Sequence, residues 1–424
     1  MNRPRPLEVW LNHWPLLPEL TAPAMRRAQE FNREHPEFEV RVRGVDVRFV
    51  PKEMAAAVAE GRAPQVAAYQ YSFTQEARDA RAADGAPLFR SLEAAIGGRS
   101  EVLGVPVVVG DLLPNARAAY TFDGELLAMP RNPSTTVLYA NMTLLAAAGV
   151  AAPPRTWAEV ERACSALALL RGGPEHGVAW PNQSWFFEQS VAQQGGLLAE
   201  PDNGRSGPAE KVGLAGAEML EFVTWWQRLH REGAFFYTGA PMGWQGVFDA
   251  FAEQRVALML NSSVEAGPVM RAARAAGFEA VAAPMPYNDR VPFAGNLVAG
   301  DSLWLADRLD EDVTDGALAF LQYLAAPGAE PAEQADSRAF VPLTETAIAR
   351  LHADGWYAER PHHLAALEQL RATTDSPATR GAVFGGFRAV QDMTAAAMHD
   401  VLTAGADPAE RFAAATVQAQ ALIG

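Results

Sequence analysis

The amino-acid sequence predicts an α/β protein built from two packed lobes, and two observations support this fold class. The chain has 424 residues, of which 49% are apolar, so it is too long for one ordinary domain and too apolar to be disordered. Its first hundred residues alternate between strand and helix patterns in the order β-α-β-α-β. That alternation is typical of a sheet that is covered by helices.

The elements of this first unit follow from apolar spacing and helix-start residues. Leu7 to Leu11 is a short apolar strand, and Thr21 is placed to cap a helix whose apolar residues recur at helical spacing. Residues 38 to 43 alternate between apolar and charged side chains, which predicts a strand with one buried face. An alanine-rich helix after Lys52 and an apolar strand over Val66 to Tyr71 complete the unit.

Helix signals dominate the rest of the chain. Thr156 and Glu159 have the spacing of a capping box at the start of a helix. Apolar stripes over residues 219 to 229 and 317 to 324 predict two further helices. Asp407 followed by a proline predicts the start of a last helix.

Composition and charge argue against several classes of protein. The chain carries 35 basic and 50 acidic residues, a formal net charge of −15, so nucleic-acid binding is not favoured. The single cysteine, Cys164, excludes an internal disulfide and lies on an apolar helix face, which favours a core position. No apolar run approaches the roughly 18 residues needed to cross a bilayer, so we expect a soluble protein.

No familiar catalytic or metal-binding motif is present in the sequence. His352, His362 and His363 could meet at a metal, but the last two sit in a polar connector, and we expect neither a metal nor another cofactor. An enzyme remains the alternative, a glycoside or phosphodiester hydrolase that uses Glu188 or Asp301 as acid or base.

Tryptophans are the positive signal for ligand binding. Several of the ten lie in predicted loops or turns, where burial of the ring is not expected: Trp14, Trp180, Trp185 and Trp244. Indole faces in such places can stack on the CH faces of a sugar or polyol, although packing in the core is the competing interpretation. Three others lie on apolar stripes or strands and are predicted core residues: Trp157, Trp226 and Trp304.

One segment carries a specific family resemblance. Residues 124 to 141, GELLAMPRNPSTTVLYAN, join two apolar strands through a proline break and a patch of small polar side chains. This segment resembles the hallmark region of the extracellular solute-binding proteins that serve sugar-type ABC importers. Further matches follow in the expected order, including FDAFAEQRVALMLNSS (residues 248 to 263) and AGDSLWLA (residues 299 to 306). Within the family the resemblance is closest to the glycerol-3-phosphate-binding members.

The resemblance implies a two-lobed periplasmic-binding-protein fold of type II, with a sheet flanked by helices in each lobe and a ligand cleft between the lobes. It implies a monomeric binding protein, not an enzyme, that captures a small polar solute by hinge closure and delivers it to a membrane permease. It also implies a periplasmic or extracellular location, with any leader removed ahead of this chain. The expected boundaries are residues 1–130 plus 287–327 for lobe one, residues 131–286 plus 328–424 for lobe two, and crossings near 130–134, 284–287 and 326–328.

The resemblance also implies a set of ligand contacts. It assigns a serine in the first crossover to the ligand, a serine pair after the ALML strand, a glycine whose bare amide can approach the solute, and a stacking pair of tryptophans. The full set of expected contacts is Trp14, Tyr71, Asn132, Ser134, Thr135, Trp180, Trp185, Ser262, Ser263, Gly300, Asp301, Phe340 and Arg388.

Departures from the glycerol-phosphate pattern bear on the ligand. Tyr71 lies in a segment where those members carry an acidic residue, and Phe340 replaces a tyrosine. Their cleft arginine aligns with Val383, which leaves Arg380 and Arg388 as nearby substitutes. A desolvated phosphate monoester needs charge-assisted donors. Glycerol 3-phosphate is therefore in doubt, while a glycerophosphodiester, a related polar headgroup or a sugar or glycoside remains open.

Overall fold

A computed structural model describes residues 3–15, 18–326 and 340–423 of the chain. The predicted crossing near 326–328 therefore falls largely outside the described residues. The strands are β1 Arg5–His13, β2 Phe38–Asp46, β3 Val66–Gln70, β4 Phe89–Arg90, β5 Glu101–Val102, β6 Val105–Pro106, β7 Thr121–Phe122, β8 Glu125–Leu126, β9 Met129–Ser134, β10 Thr136–Asn141, β11 His176–Ala179, β12 Ala199–Glu200, β13 Lys211–Val212, β14 Phe235–Phe236, β15 Val256–Ser262, β16 Ala280–Pro284 and β17 Ala299–Ala306. The helices are α1 Ala22–Glu34, α2 Val50–Ala59, α3 Thr74–Asp79, α4 Leu92–Ile96, α5 Pro114–Ala119, α6 Met142–Ala147, α7 Trp157–Ala168, α8 Ser184–Gln193, α9 Ala217–Arg231, α10 Trp244–Ala252, α11 Ala266–Ala276, α12 Glu311–Ala325, α13 Glu345–Ala353, α14 Trp356–Glu359, α15 Leu364–Arg371, α16 Pro377–Arg380, α17 Phe387–Thr403 and α18 Pro408–Gln420.

Internal contacts divide the chain into two compact units, each of which combines a sheet with helices. Over their described residues, unit 1 is Met1–Pro133, Ala299–Glu333 and Pro342–Asp354, and unit 2 is Ser134–Val298, Gln334–Val341 and Gly355–Gly424. The combination of helices and strands in each unit agrees with the predicted α/β class. The predicted lobe boundaries and crossings stay predictions.

The main sheet of unit 1 brings several strand ends to one edge. Its order is β2-β1-β3-β17-β4, and β9 pairs with β17. Strand β1 is parallel to β2 and β3, whereas β17 runs antiparallel to β3, with Asp301 opposite Gln70. The carboxyl ends of β1 and β3 therefore lie at the same edge as the amino end of β17. In α/β proteins this edge of a sheet is the usual place for a ligand.

An aromatic core supports this sheet. Trp10, Tyr69, Phe89 and Trp304 are buried together on one side of it, and the Phe89 ring lies 5.9 Å from that of Trp304. These rings come from neighbouring strands and hold the sheet against helix α2. The edge of the sheet is thereby attached to a closely packed core.

The sheet of unit 2 has the order β14-β11-β15-β10-β16. Strand β10 is antiparallel to both β15 and β16, while β11 is parallel to β14 and β15. Helix α9 packs against the sheet of this unit and contributes Phe222, Trp225 and Trp226 to its core.

None of the helices in the described part of the chain combines the length and apolar character that crossing a bilayer requires.

The predicted helix starts are partly confirmed. The Asp407 carboxylate accepts the Glu410 amide at 3.0 Å, as an N-cap should. At α7 the Thr156 hydroxyl accepts the Glu159 amide at 3.2 Å, but the Glu159 carboxylate accepts the Arg155 amide instead of that of Thr156. The predicted capping box is therefore only half formed.

The predicted proline break is wrong. Pro130 and Pro133 lie inside strand β9 and not between two strands. Strand β9 pairs with β17 to one side of the main strand path. A strand in such a position tolerates proline because it does not need every amide for pairing.

Candidate functional site

Four polar side chains meet at the edge of the unit 1 sheet where β1 and β3 end: Asn12, Arg131, Asn132 and Asp301, here called the Asp301 cluster. Asn12 Nδ2 donates to Asp301 Oδ1 at 2.6 Å. The other carboxylate oxygen, Oδ2, lies 3.5 Å from Asn132 Nδ2 and 3.7 Å from an Arg131 guanidinium nitrogen. The cluster thus joins one anion, one cation and two amides.

Burial dominates the electrostatics of this cluster. Asp301 is 3% exposed, and desolvation raises its pKa to about 6, against the opposing effects of Arg131 and the two amides. Desolvation also lowers the pKa of the Arg131 guanidinium, while Asp301 raises it. Each charge of the pair therefore offsets part of the cost of burying the other.

A close approach of two strands places the cluster. Gly300 has a φ of +143°, and a β-carbon at this position would lie 2.5 Å from the Asn132 carbonyl oxygen. Any side chain there would collide with the backbone of β9. Gly300 thus lets β9 bring Arg131 and Asn132 against Asp301 on β17. The resemblance predicted that a solute approaches Gly300 closely. In the structure, the group that lies close to Gly300 is the backbone of β9.

Two predicted aromatic residues follow strands that end at this edge. Trp14 comes directly after β1 and is half-buried, and Tyr71 comes directly after β3 in a short 3₁₀ turn. The Tyr71 carbonyl accepts the Thr74 hydroxyl at 2.7 Å, which fixes the turn. Five predicted contacts therefore belong to one edge of one sheet: Trp14, Tyr71, Asn132, Gly300 and Asp301.

Sequence reasoning missed two members of the cluster. Asn12 is a polar residue near the end of an otherwise apolar strand, and it is almost fully buried. Arg131 lies inside the hallmark segment but was not assigned a ligand contact. A buried amide in an apolar strand needs a partner, and this was the signal that could have identified Asn12.

Two predicted residues of unit 2 form part of an internal network. The Thr135 amide donates to Ser263 Oγ at 3.2 Å, and the Ser263 amide donates to the Thr135 carbonyl at 2.8 Å. The buried Thr135 hydroxyl accepts from the amides of Gln189 at 3.3 Å and Gln369 at 3.1 Å. These bonds give both residues a clear structural role.

The two remaining serines differ from each other. Ser262 Oγ accepts the Val264 amide at 3.3 Å and so caps a short turn after β15. The Ser134 hydroxyl, at the end of β9, makes no hydrogen bond within the described residues. Among the four predicted small hydroxyl residues, Ser134 therefore keeps the most capacity for a solute.

Trp180 is a core residue, and the expectation that its ring is not buried is wrong. It is 1% exposed, and its ring stacks on that of Trp225 at 5.6 Å with an interplanar angle of 11°. Phe235 meets it edge-on at 4.5 Å. The cause is tertiary, since α9 places a tryptophan pair against the residue that follows β11. The predicted core positions of Trp157, Trp226 and Trp304 are confirmed.

Trp185 lies in the first turn of α8 and its ring is also buried, so the expected exposed loop position is wrong for this residue as well. It is 7% exposed, and its indole N–H is buried without a hydrogen-bond partner in the described part of the protein. One turn further along α8, the buried Glu188 carboxylate accepts from Gln391 Nε2 at 2.7 Å. The indole N–H of Trp180 also has no partner within the described residues, so the two tryptophans differ in that several aromatic rings enclose Trp180.

The arginines considered as phosphate ligands are paired with carboxylates. Arg388 contacts Asp392 at 2.7 Å, and Arg380 contacts both carboxylate oxygens of Asp375 at 2.6 Å. Phe340, the remaining predicted contact, is half-buried. A phosphate group would therefore have to compete with a carboxylate for either cation.

The described residues include no cluster of metal ligands, and their one cysteine is buried. Among residues 3–15, 18–326 and 340–423, no group of three or more His, Cys, Asp or Glu side chains is arranged to hold a metal ion. Cys164 is buried as predicted, and burial raises the pKa of its thiol to about 12. The two carboxylates of the hydrolase alternative, Glu188 and Asp301, belong to different compact units.

Unit 1 gathers polar and aromatic residues at the edge of its mixed sheet where the parallel strands β1 and β3 end, and this is where α/β proteins usually bind small solutes. The profile of the bacterial extracellular solute-binding protein family matches residues 26–366. The chain belongs to this family. This membership confirms the resemblance seen in the sequence. It also confirms the predicted class, a solute-binding protein and not an enzyme.

Curated relatives include glycerol-phosphate binders. The sn-glycerol-3-phosphate-binding periplasmic protein UgpB of Salmonella typhimurium is 26% identical over 298 residues, which cover 69% of this chain and 66% of the relative. The protein of that name from Escherichia coli K12 is 25% identical over 305 residues, 71% of this chain and 68% of the relative. The match to the Salmonella protein thus spans slightly under two thirds of that relative's length.

Solved structures with the same fold include binding proteins for different ligands. The cyclic α-maltosyl-1,6-maltose binding protein of Arthrobacter globiformis superposes with a TM-score of 0.76 at 19% identity and covers 99% of both chains. UgpB from Mycobacterium tuberculosis in complex with glycerophosphocholine gives 0.74 at 19% identity, with 99% of this chain and 98% of the other covered. These similarities confirm the predicted two-lobed fold class.

Proposed function

We propose that this protein is the substrate-binding component of an ABC importer and captures a small polar solute. Its family and its relatives support this class of function. The observation that carries the proposal is the Asp301 cluster, a buried set of donors and acceptors at the edge of the unit 1 sheet where β1 and β3 end. The solute is a sugar or glycoside, a glycerophosphodiester or a related glycerol-phosphate compound.

A phosphate monoester is the least favoured of these solutes. Arg380 and Arg388 are already paired with aspartates, and Arg131 lies beside Asp301. A dianion would need several donors that are not offset by a nearby carboxylate. A diester or a neutral glycoside makes a smaller demand on these cations, which favours either one over glycerol 3-phosphate.

The proposed mechanism is capture by closure of two hinged lobes. A solute that contacts both lobes favours the closed state by its higher affinity for that state. A micromolar dissociation constant corresponds to about −8 kcal/mol, which several hydrogen bonds and one stacking ring can supply. The closed, monomeric form then delivers the solute to a membrane permease in the periplasm or at the outer face of the cell membrane.

A thermal-shift screen tests this proposal. The purified chain is heated with maltose, glycerophosphocholine, sn-glycerol 3-phosphate and phosphocholine at millimolar concentration, because a solute that binds the native state raises the melting temperature. We expect a shift of several degrees with one of the first two solutes. The absence of a shift with every solute in a broad panel of sugars and phosphodiesters contradicts the proposal.

The same samples distinguish binding from hydrolysis. A binding protein returns the solute unchanged after prolonged incubation, whereas a glycoside or phosphodiester hydrolase releases product continuously. Chromogenic glycosides and the choline released from glycerophosphocholine provide the readouts. Sustained turnover that persists through repeated purification would replace the proposal by the hydrolase alternative.

A further inference from the structure

We infer that the Asp301 cluster is a subsite for a vicinal diol, two adjacent hydroxyl groups on the neutral part of the solute. This inference rests on the proposed function and specifies the chemistry that one unit recognises. A sugar ring and the glycerol end of a glycerophosphodiester both carry such a pair of hydroxyls. The diol is therefore the group that both kinds of solute share. A comparison of their affinities shows which of the two supplies it.

The first observation is an unused acceptor in the interior of unit 1. Asn12 is 2% exposed, and its Oδ1 atom is buried without a hydrogen-bond partner among the described residues. The amide orientation is fixed, because Nδ2 lies 2.6 Å from the Asp301 carboxylate and an oxygen there would be repelled by the anion. Oδ1 must therefore face elsewhere, and a solute hydroxyl can donate to it.

The second observation is the unused capacity of the charged pair. Asp301 Oδ2 makes two long contacts, 3.5 Å to Asn132 and 3.7 Å to Arg131. A carboxylate oxygen has two lone pairs, and a guanidinium has five N–H donors in a planar fork. Neither group is saturated by contacts of this length. The cluster can thus offer acceptors and donors side by side.

A diol matches this arrangement of groups. Each hydroxyl donates one hydrogen and accepts others, so one can donate to Asn12 Oδ1 and its neighbour to Asp301 Oδ2. Both hydroxyl oxygens can then accept from the Arg131 guanidinium, whose fork spans two adjacent atoms. One neutral ligand fragment would then satisfy Asn12 Oδ1 and use the spare hydrogen-bonding capacity of the charged pair.

Charge argues against an ionic ligand fragment at this position. With Asp301 ionised, the cluster contains one negative and one positive group within 3.7 Å, so its formal charge is zero. A phosphate would be placed beside the Asp301 carboxylate, and an ammonium group beside the Arg131 guanidinium. Like charges in a buried site are strongly unfavourable, whereas hydroxyls carry no such penalty.

Calorimetric titration at pH 7.5 tests the inference. The ligands are maltose, glycerophosphocholine, the monodeoxy analogues of each, and phosphocholine, which has no diol. We expect the wild-type protein to bind maltose or glycerophosphocholine, and one monodeoxy analogue of that ligand to bind at least tenfold more weakly. Which parent binds identifies the source of the diol.

Variants locate the effect in the cluster. Asp301→Asn should weaken binding of the parent by at least tenfold and abolish the discrimination between parent and monodeoxy analogue. Asp312→Asn, at an exposed ion pair with Arg5 in the same unit, is the matched control and should bind like the wild type. A merely structural role for Asp301 would weaken parent and analogue equally and so contradict the inference.

The outcomes separate this inference from the proposed function. Equal affinity of the wild-type protein for the parent and all of its monodeoxy analogues overturns the diol subsite, and this arm does not depend on the folding of any variant. Binding of phosphocholine alone overturns the subsite but retains a solute-binding protein. Binding of no solute, here and in the broad screen, overturns the proposed function itself.

Discussion

Asn12 Nδ2 lies 2.6 Å from Asp301 Oδ1, although 289 positions separate the two residues in the chain. Parallel pairing of β1 with β3 and antiparallel pairing of β17 with β3 bring them together. One sheet edge therefore collects groups from the first strand of the unit and the last. This edge and two of the tryptophans of unit 2, Trp180 and Trp185, lead to four testable predictions.

The stability of the protein should depend on pH through Asp301. Burial raises the pKa of this carboxyl from 3.8 to about 6, so the folded protein holds the proton more tightly than the unfolded chain. The protonated Asp301 carboxyl therefore contributes stability that is fully present below its unfolded pKa. This contribution is lost as the pH rises through about 6. A change of 6 − 3.8 pKa units corresponds to a loss of about 3 kcal/mol between about pH 4 and about pH 7.

Urea unfolding of the wild type and Asp301→Asn across this pH range measures the effect. The difference between the two free energies of unfolding removes the other titrating groups and should fall by about 3 kcal/mol from acid to neutral pH. The unpaired Arg131 of the variant adds an offset that does not change with pH. A pH-independent difference would show that Asp301 has an ordinary pKa.

Gly300→Ala should destabilise the protein more than a substitution at a positive-φ glycine that has no close neighbour. The new β-carbon would lie 2.5 Å from the Asn132 carbonyl oxygen, and φ is +143°. We expect a loss of roughly 3 kcal/mol in the free energy of unfolding. Gly61→Ala is the control, since φ is +65° there with no atom within 4 Å, and it should cost about 1 kcal/mol. Equal costs would contradict a close approach of β9 and β17.

Trp180→Ala should act on stability. The ring is enclosed by Trp225, Trp226 and Phe235, so its removal creates a cavity that costs about 3 to 5 kcal/mol. Trp180→Phe keeps part of the ring and should cost less. Chemical denaturation monitored by circular dichroism measures both variants. A fully stable Trp180→Ala protein that no longer binds solute would instead identify Trp180 as a ligand contact.

Trp185→Ala should abolish the ligand-induced thermal shift while the protein remains folded. Its indole N–H has no partner within the described residues, so a solute can use this donor. Trp356→Ala is the control, because Trp356 is a half-buried tryptophan of the same unit that is not among the expected ligand contacts, and this variant should keep the shift. A normal shift in Trp185→Ala assigns this ring to packing alone.

Local signals in the sequence predicted much of the fold. The N-cap at Asp407, the alternation of strand β2 and the apolar stripe of helix α9 depend on residues close together in the chain. Such patterns survive folding because they describe local geometry and the side of an element that must be buried. The family resemblance, carried by short motifs in a fixed order, added the class of protein.

The fate of each tryptophan could not be predicted in this way. Trp180 and Trp185 both follow strand β11 in the chain, yet Trp180 is enclosed by several aromatic rings, whereas the Trp185 ring lies beside that of Phe186 at 6.3 Å. The difference depends on where α9 packs. Packing between distant segments decides which ring faces are covered.

The sequence by itself determined the α/β class, the family and the β-α-β-α-β order at the start of the chain, because these follow from local spacing and short motifs. Only the tertiary structure decided that Asn12 and Arg131 join Asp301 and that Thr135 and Ser263 serve an internal network. A buried polar group is assigned by the partner that satisfies it. That partner is selected by strand pairing across hundreds of residues, which no local pattern records.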